Sequence, residues 1–497
     1  MNFIIEEATI SDIHNFFKSG NLTAVALTQM YLERISNLDQ SGPELNTFVK
    51  INPEALNEAK ELDDYFSTHK KLFGPLHGVP IAIKDQIETK GLETSFGSVA
   101  LKGNIPDEDA TLVTKLKLAG AIIIGKTTMP DFAASWWGYG SVHGETKCAY
   151  DLERDSGGSS GGTGSAIAAN LATVGIGEDT GGSIRLPSGA NNLVGLRVTP
   201  GLISRNGLSP LLVPLDTPGP MGRTVEDVAK VLDVLVGYDP KDPYTVSAKV
   251  SNMDKKYTID LEGKNAGDLR LGFLKEAFGP NDELDFAEVN KVVKSTFQKL
   301  QSEGAHLVEL SVPNLQEMID ETSLYISRSR SDLNNFFKTR SFPFPSIDTL
   351  VAEGRYEKKL ELLKAIVEEG PINYSEDPDY YKRLGLISEF QQNLQGLMAK
   401  QNLDGICYPA CKILTPKHAD LRDEKWTVLS FPTNTTIASQ SLLPSICVPA
   451  GFSKEGVPVG LEIISYQFQE HNLLKVGSAL ERCLKLRRPP HFGSPKS

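Results

Sequence analysis

Short apolar runs alternate with amphipathic stretches along most of the chain. Residues 79–83 (VPIAI) and 173–177 (TVGIG) are runs bounded by turn residues, which is typical of buried strands. Residues 23–35 and 224–236 carry apolar side chains at helical spacing, which predicts amphipathic helices. Because strands and helices alternate, the chain is predicted to be α/β, a single large α/β/α layered domain with a central mixed, mostly parallel twisted β-sheet covered by helices.

The same patterns predict the individual elements. Helices are expected from residue 9, from about residue 23, and over residues 53–66, 110–118, 165–172, 224–236, 285–301, 358–369, 378–400 and 471–484. Strands are expected at residues 79–83, 121–124, 173–177, 269–273, 306–310 and 405–408, with two more inside 443–464. Residues 239–268 are polar and predict a surface excursion, and residues 319–353 mix aromatic residues and arginines without a clear period.

Composition and charge limit the partners. Hydrophobic residues make up 40% and charged residues 23% of the 497 positions, as in ordinary soluble globular proteins. The net charge of −12 argues against direct binding to nucleic acid or to an anionic membrane, because phosphate groups need clustered Lys and Arg. Neutral and cationic small molecules are left as ligands.

Cysteine use and the lengths of the apolar runs predict a cytoplasmic protein. The first residues show no basic stretch followed by an apolar one, and no apolar run is long enough to span a bilayer. The five cysteines form no CxxC pair, which suits unpaired thiols in a reducing compartment. They are Cys148, Cys407, Cys411, Cys447 and Cys483.

Two glycine–serine clusters are the strongest candidates for chemistry. They are residues 157–162 (GGSSGG) and residues 179–185 (DTGGSIR), separated by a short small-residue helix and a buried strand. Glycine leaves the backbone N–H groups free to point at a ligand, and each cluster contains a candidate serine. The clusters lie at opposite ends of one helix–strand unit, so they meet only if the fold brings those ends over the same cleft.

Two other motif matches are rejected on their context. Residues 120–127 fit the Walker A pattern, but the four residues that should form a flexible phosphate cradle, 121–124, are themselves a predicted strand. Residues 158–162 satisfy G-x-S-x-G, yet that motif should follow a strand, and residues 149–156 are polar and irregular.

The histidines do not suggest a metal site, and lysine is an alternative base. The eight histidines show no HExxH or other ligand spacing, so no metal is expected. A Ser-His-Asp triad stays open on composition alone. A serine can also be activated by a lysine whose pKa is lowered by burial. Lys84, at the end of the apolar strand 79–83, is the first candidate, and Lys126 is its competitor.

Several ordered motifs resemble the amidase signature family, and the resemblance extends from about residue 9 to residue 484. They are residues 78–85 (GVPIAIKD), 119–127 (AGAIIIGKT), both glycine–serine clusters, 195–197 (GLR), 216–220 (DTPGP) and 448–451 (VPAG). The resemblance implies one domain over residues 1–497, with a signature core at about 75–222, a variable region at 240–400 that caps the site, and a return to the core at 401–485.

The resemblance also implies the roles of individual residues. Ser183 is expected to be the nucleophile, Ser159 a bridging serine on a cis peptide bond, and Lys84 the base. The backbone N–H groups of Thr180, Gly181, Gly182 and Ser183 would form the oxyanion hole. Asp179 and Arg185 would brace the nucleophile loop. No cofactor is implied.

The chain departs from many relatives after Met129. Residues 135–140 read SWWGYG, where many relatives are smaller and more polar. Two interpretations of Trp136 and Trp137 are open: they line an apolar acyl pocket together with Met129, or they belong to the core.

The expected activity is that of a stand-alone serine amidase acting on a small-molecule carboxamide, carbamate or related C–N bond, with a homodimer as the assembly considered. The alternative is the A-type subunit of a tRNA-dependent amidotransferase, in which the same residues release ammonia from glutamine for a partner. Because Lys84, Ser159 and Ser183 are all present, a catalytically dead binding module is disfavoured.

Overall fold

An eleven-stranded β-sheet lies at the centre of the computed structural model, which describes residues 3–251 and 256–492. Outside the described residues lie residues 1–2, 252–255 and 493–497 of the predicted domain. Residues 252–255 belong to the predicted surface excursion. The strands are β1 (Phe48–Ile51), β2 (Pro80–Lys84), β3 (Ile122–Thr127), β4 (Tyr139–Gly140), β5 (Gly144–Glu145), β6 (Lys147–Cys148), β7 (Asp151–Asp155), β8 (Val174–Asp179), β9 (Val194–Arg197), β10 (Thr217–Gly222), β11 (Arg270–Leu274), β12 (His306–Leu310), β13 (Gly405–Pro409), β14 (Ser445–Phe452) and β15 (Pro458–Ile464). The order in the large sheet is β1-β3-β2-β8-β10-β9-β14-β15-β13-β11-β12, and the pairs β4-β5 and β6-β7 are separate.

Helices cover both faces of the sheet. They are α1 (Ile10–Lys18), α2 (Ala24–Leu38), α3 (Ala55–His69), α4 (Thr111–Leu118), α5 (Gly161–Ala168), α6 (Arg185–Ala190), α7 (Val225–Leu235), α8 (Val246–Val250), α9 (Leu284–Ser302), α10 (Leu315–Thr322), α11 (Tyr325–Lys338), α12 (Ile347–Ala352), α13 (Glu361–Glu368), α14 (Tyr380–Gln401), α15 (His418–Arg422), α16 (Thr436–Gln440) and α17 (Glu470–Leu484). Alternate residues of a strand point to opposite faces. Accordingly, Ile81 and Ile83 join one apolar core with α4, α7, α9 and α17, while Ala82 joins another with α1, α2, α3 and α5. The predicted α/β/α layered domain with a mixed sheet is confirmed.

The direction of the strands corrects one expectation. In the large sheet of the described residues, four of the ten pairings are parallel and six are antiparallel, so the sheet is not mostly parallel. Parallel pairs such as β2 and β3 have a helix between them in the chain. No helix lies between β9 and β10 or between β14 and β15, and a chain without a crossover element turns back antiparallel.

Two helix starts follow the capping chemistry read from the sequence. The Thr9 side chain accepts a hydrogen bond from the Asp12 N–H in a reciprocal capping box, and Thr224 caps α7 by accepting from the Asp227 N–H. Both expected helix starts are confirmed.

The segment without a clear period, residues 319–353, contains α11 and α12. Helix α11 buries Leu333, Phe336 and Phe337 in an apolar cluster with Phe96 and Phe132 from the N-terminal half of the chain. Serines, arginines and asparagines interrupt the apolar face of α11, so its period is weak in the sequence. The division of the domain at residues 75–222, 240–400 and 401–485 stays a prediction. None of the described helices is long and apolar enough to cross a membrane.

Candidate active site

The two glycine–serine clusters meet at one edge of the sheet. Lys84 is the last residue of β2, which runs parallel to β8, and β8 ends at Asp179. The carboxyl ends of neighbouring parallel strands share one edge of a sheet, where open α/β folds place their ligands. The first cluster reaches the second through a backbone hydrogen bond, in which the Ser160 N–H donates to the Ser183 carbonyl at 3.1 Å. The fold therefore brings the ends of the helix–strand unit together.

Lys84 has a serine as hydrogen-bond partner. Its side chain is completely buried, and Nζ donates to Oγ of Ser159 at 2.8 Å and to the carbonyl oxygen of Glu178 at 3.2 Å. Burial lowers the pKa of Lys84 to about 8, because a buried ammonium group loses its hydration, and nearby carboxylates oppose this change. A substantial fraction of Lys84 is then a neutral amine at mildly alkaline pH, and a neutral amine can accept a proton.

Lys126, the competing lysine, has different partners. It is also completely buried, and burial lowers its pKa to about 8 as well. Its Nζ donates to the Ile87 carbonyl and, at 2.8 Å, to the Thr94 hydroxyl, and it lies 3.7 Å from an Asp85 oxygen. None of these partners belongs to a glycine–serine cluster. The partners, and not the burial, distinguish the two lysines.

The first cluster contains the expected cis peptide bond, between Gly158 and Ser159. Two backbone N–H groups hold the loop: that of Gly157 donates to an Asp155 carboxylate oxygen at 2.7 Å, and that of Gly158 to the Trp136 carbonyl at 2.7 Å. A Cβ atom at Gly158 would lie 2.2 Å from the Trp137 carbonyl oxygen, so only glycine fits there.

The second cluster is fixed from two sides. Ser183 is 4% exposed, and the N–H of the next residue, Ile184, donates to Asp179 at 3.0 Å. The Thr435 hydroxyl donates to the Gly181 carbonyl at 2.8 Å. Gly182 has a φ of +142°, and a Cβ there would lie 1.9 Å from Thr435 Oγ1. The backbone of this loop is therefore closely constrained.

Asp179 and Arg185 lie in a buried ion-pair cluster behind the loop. Nη2 of Arg185 and Nη1 of Arg197 lie 2.9 and 2.8 Å from the same Asp179 oxygen, and Arg185 also pairs with Glu462. Although burial raises the pKa of Asp179, the two guanidinium groups hold it well below its usual range. The contacts of Asp179 and Arg185 join β8, β9 and β15 to the start of α6.

The three residues considered for a pocket occupy different surroundings. Met129 is completely buried, and Trp137, 2% exposed, meets Phe431 edge to face at 4.6 Å between ring centroids. Trp136 is half-buried, and its ring lies 2.8 Å from the position that a Cβ on Gly181 would occupy. Trp136 and Trp137 both line a cavity of about 10 Å³, which is no larger than one water molecule needs.

Sequence reasoning missed two residues beside the loop. The Glu178 carboxylate is 1% exposed and lies 3.6 Å from Nζ of Lys84. The hydroxyl of Tyr325, on α11, would lie 2.1 Å from a Cβ on Gly181. An acidic residue inside the apolar strand that ends at Asp179 was a usable signal for Glu178. Tyr325 had no such signal, because it comes from the segment without a clear period.

The layered fold is that of the amidase signature proteins. The sequence profile of the Amidase family matches residues 26–474, and the chain belongs to this family. It is 33% identical to an A-type subunit of glutamyl-tRNA(Gln) amidotransferase from Clostridium acetobutylicum over 96% of this chain and 99% of that one, and 34% identical to the A-type subunit from Alkaliphilus metalliredigens over 96% of each. The native peptide amidase of Stenotrophomonas maltophilia has a similar structure, with a TM-score of 0.84 and 32% identity over 98% of this chain and 99% of that one.

Proposed function

We propose that this protein is a serine-dependent amidase, which hydrolyses a carboxamide or a related C–N bond to a carboxylic acid and ammonia or an amine. One observation carries the proposal: Nζ of the buried Lys84 donates to Oγ of Ser159 at 2.8 Å, in a loop hydrogen-bonded to the backbone of Ser183. The relatives support it, since a peptide amidase is among the similar structures.

In the proposed reaction Oγ of Ser183 attacks the amide carbonyl carbon. Its proton moves to Ser159, whose own proton moves to the neutral amine of Lys84. The C–N bond then breaks as Ser159 donates a proton to the leaving nitrogen and regains one from Lys84. Water hydrolyses the resulting Ser183 ester and releases the acid. No cofactor takes part in these steps.

The backbone N–H groups of Thr180, Gly181, Gly182 and Ser183 are proposed to stabilise the oxyanion of the tetrahedral intermediate. Donors held in place before the reaction stabilise developing charge without reorganising, and the loss of one costs about 10²–10³ in rate at comparable sites. The contacts of Thr435 and Asp179 with this loop support the assignment, because they restrict its movement.

Aromatic groups next to Gly181 are proposed to contact the substrate. Trp136 and Tyr325 are the side chains nearest to the position that a Cβ on Gly181 would occupy. Trp136 is the residue best placed to line the acyl side, whereas Met129 and Trp137 are proposed to support it from the core.

The first test of the activity replaces the nucleophile. Ser183→Ala should lower the release of ammonia or amine by about 10⁶-fold, because the attacking oxygen is lost. The assay is product release from a panel of primary amides, anilides, carbamates and fatty amides by the wild type and the variant. Ser465→Ala is the control, since Ser465 is also buried and its hydroxyl donates to the Asp404 carbonyl, which belongs to neither glycine–serine cluster. Near wild-type turnover by Ser183→Ala would contradict the mechanism.

The second candidate is an A-type subunit of a tRNA-dependent amidotransferase. The observation in its favour is the name of the relatives that are 33 and 34% identical over nearly the full length. A homo-oligomer, such as a homodimer, that hydrolyses amides alone would favour the stand-alone enzyme. Obligate co-purification with a tRNA-binding protein, with glutaminase activity only in that complex, would favour the amidotransferase.

A further inference from the structure

A buried carboxylate lies beside the lysine of the candidate site. One carboxylate oxygen of Glu178 is 3.6 Å from Nζ of Lys84, and the exposed fractions of the two side chains are 1% and 0%. The same Nζ donates to the backbone carbonyl of Glu178 at 3.2 Å. Nζ of Lys84 therefore contacts the main-chain carbonyl and the side-chain carboxylate of Glu178, in addition to the hydroxyl of Ser159.

Glu178 has little other compensation for its charge. Its Oε1 accepts a long hydrogen bond of 3.3 Å from the Thr180 hydroxyl, which lies closer, at 2.6 Å, to Asp216. Its Oε2 has no hydrogen-bond partner among the described residues. A buried carboxylate without donors is costly, so the nearby ammonium of Lys84 is the main group that can stabilise its charged form.

The neighbouring acids are satisfied by other groups. Asp179 pairs with Arg185 and Arg197, and Asp216 accepts from the backbone N–H groups of Leu211 and Leu212. The titratable and charged groups around the Lys84–Glu178 pair are Asp179 on β8, Arg197 on β9, Arg205 and Asp216 between β9 and β10, and Tyr325 and Asp332 on α11. Among Glu178 and these surrounding acids, Glu178 is the one whose carboxylate lies within ion-pair distance of Lys84.

We propose that Glu178 is a positioning residue that holds a proton on Lys84 and thereby sets the pH above which Lys84 acts as a base. This inference rests on the proposed function, in which neutral Lys84 accepts the proton that leaves Ser183 through Ser159. Glu178 acts only through Lys84 and does not touch the reacting atoms.

Opposing effects act on the pair. Burial raises the pKa of Glu178 to about 8 and lowers that of Lys84 to about 8, while each charge favours the charged form of the other. The two groups consequently share protons as a pair. Without the carboxylate, burial acts on Lys84 with less opposition, so Lys84 loses its proton at a lower pH. Loss of Glu178 should extend activity towards acid.

A cleft leads from the surface of the protein to Glu178. Glu178 lines a cavity of about 320 Å³ together with Arg205, Asp216 and Lys241. The Lys241 side chain is 59% exposed, which places the outer wall of the cavity at the surface. The lining of this cleft includes Glu178 but not Ser183, so the carboxylate and the nucleophile do not share this opening.

The test is the pH dependence of covalent inactivation by phenylmethylsulfonyl fluoride. This reagent reacts with an activated serine, so the assay can be run before the substrate is known. In Glu178→Gln the acid limb of the rate should move to lower pH by about 1–3 units, the usual effect of one close opposite charge. Glu178→Thr, which is smaller and also uncharged, should shift the limb in the same direction, and Glu178→Asp should bring it back towards the wild-type position.

Glu470→Gln is the control, because Glu470 is also a buried carboxyl with a raised pKa but bonds to Thr199 at a separate place. Its acid limb should match that of the wild type. An unmoved limb, or a shift to higher pH, in folded Glu178→Gln or Glu178→Thr would overturn the inference. Peptide mapping separates the two failures: label on a residue other than Ser183 refutes the proposed function, while label on Ser183 with an unmoved limb refutes only the role of Glu178.

Discussion

At the scale of single residues, two buried lysines on neighbouring strands have the same burial and different neighbours. Lys84 donates to Ser159, and Lys126 donates to the carbonyl of Ile87 and the hydroxyl of Thr94. Burial alone gives both a lowered pKa, so a titration would not tell them apart. The hydrogen bond to Ser159 is the reason why Lys84, and not Lys126, is the proposed base.

This difference predicts separate effects of two matched substitutions. Lys84→Met should lower kcat by about 10²–10⁴, the usual contribution of a general base. Lys126→Met should leave the kcat of the folded protein near the wild-type value. Both should lower the melting temperature, because each leaves a buried carboxylate without its partner. Amide hydrolysis per folded molecule is the measurement, and loss of turnover only in Lys126→Met would show that the other lysine is the base.

At the scale of elements, the site combines the carboxyl end of β2 with two loops. One loop lies between β7 and α5, and the other between β8 and α6. The first loop approaches the carbonyl of Trp137 too closely for any side chain at Gly158, and the second bends around Thr435 at Gly182. Glycine at these two positions is required by close contact, whereas glycines such as Gly385 and Gly396 have nothing within 4 Å of a Cβ position. The positions of the serines thus depend on the absence of particular side chains.

Gly158→Ala and Gly396→Ala should therefore have opposite effects. The new Cβ of Gly158→Ala would lie 2.2 Å from a backbone oxygen and should displace Ser159, lowering activity at least tenfold and also stability. Gly396, inside α14, has nothing within 4 Å of a Cβ, so alanine should raise the free energy of unfolding by up to about 1 kcal/mol without changing turnover. Chemical denaturation measures the stability of the two variants, and an amidase assay measures their turnover. Full activity in Gly158→Ala would contradict the packing argument.

At the scale of the whole molecule, the site unites distant parts of the chain: Lys84 and Ser159 are 75 residues apart, and Thr435 holds Gly181 from 254 residues away. The layered fold and the candidate serines and lysine could be predicted, because apolar runs and long motifs are local in sequence. The antiparallel centre of the sheet could not, since strand direction depends on connections such as that between β9 and β10. Tyr325 was missed for a similar reason, because α11 is held by packing against Phe96 and Phe132 and has a weak period of its own.

The central claim is that a covalent acyl group forms on Ser183. The direct measurement is rapid quenching of the wild-type protein during hydrolysis of the best amide from the panel, followed by mass spectrometry of its peptides. The proposed mechanism predicts an added acyl mass on the peptide that contains Ser183, and none in Ser183→Ala. An acyl group on Ser159, or product formation with no acylated peptide in a burst-phase experiment, would contradict it.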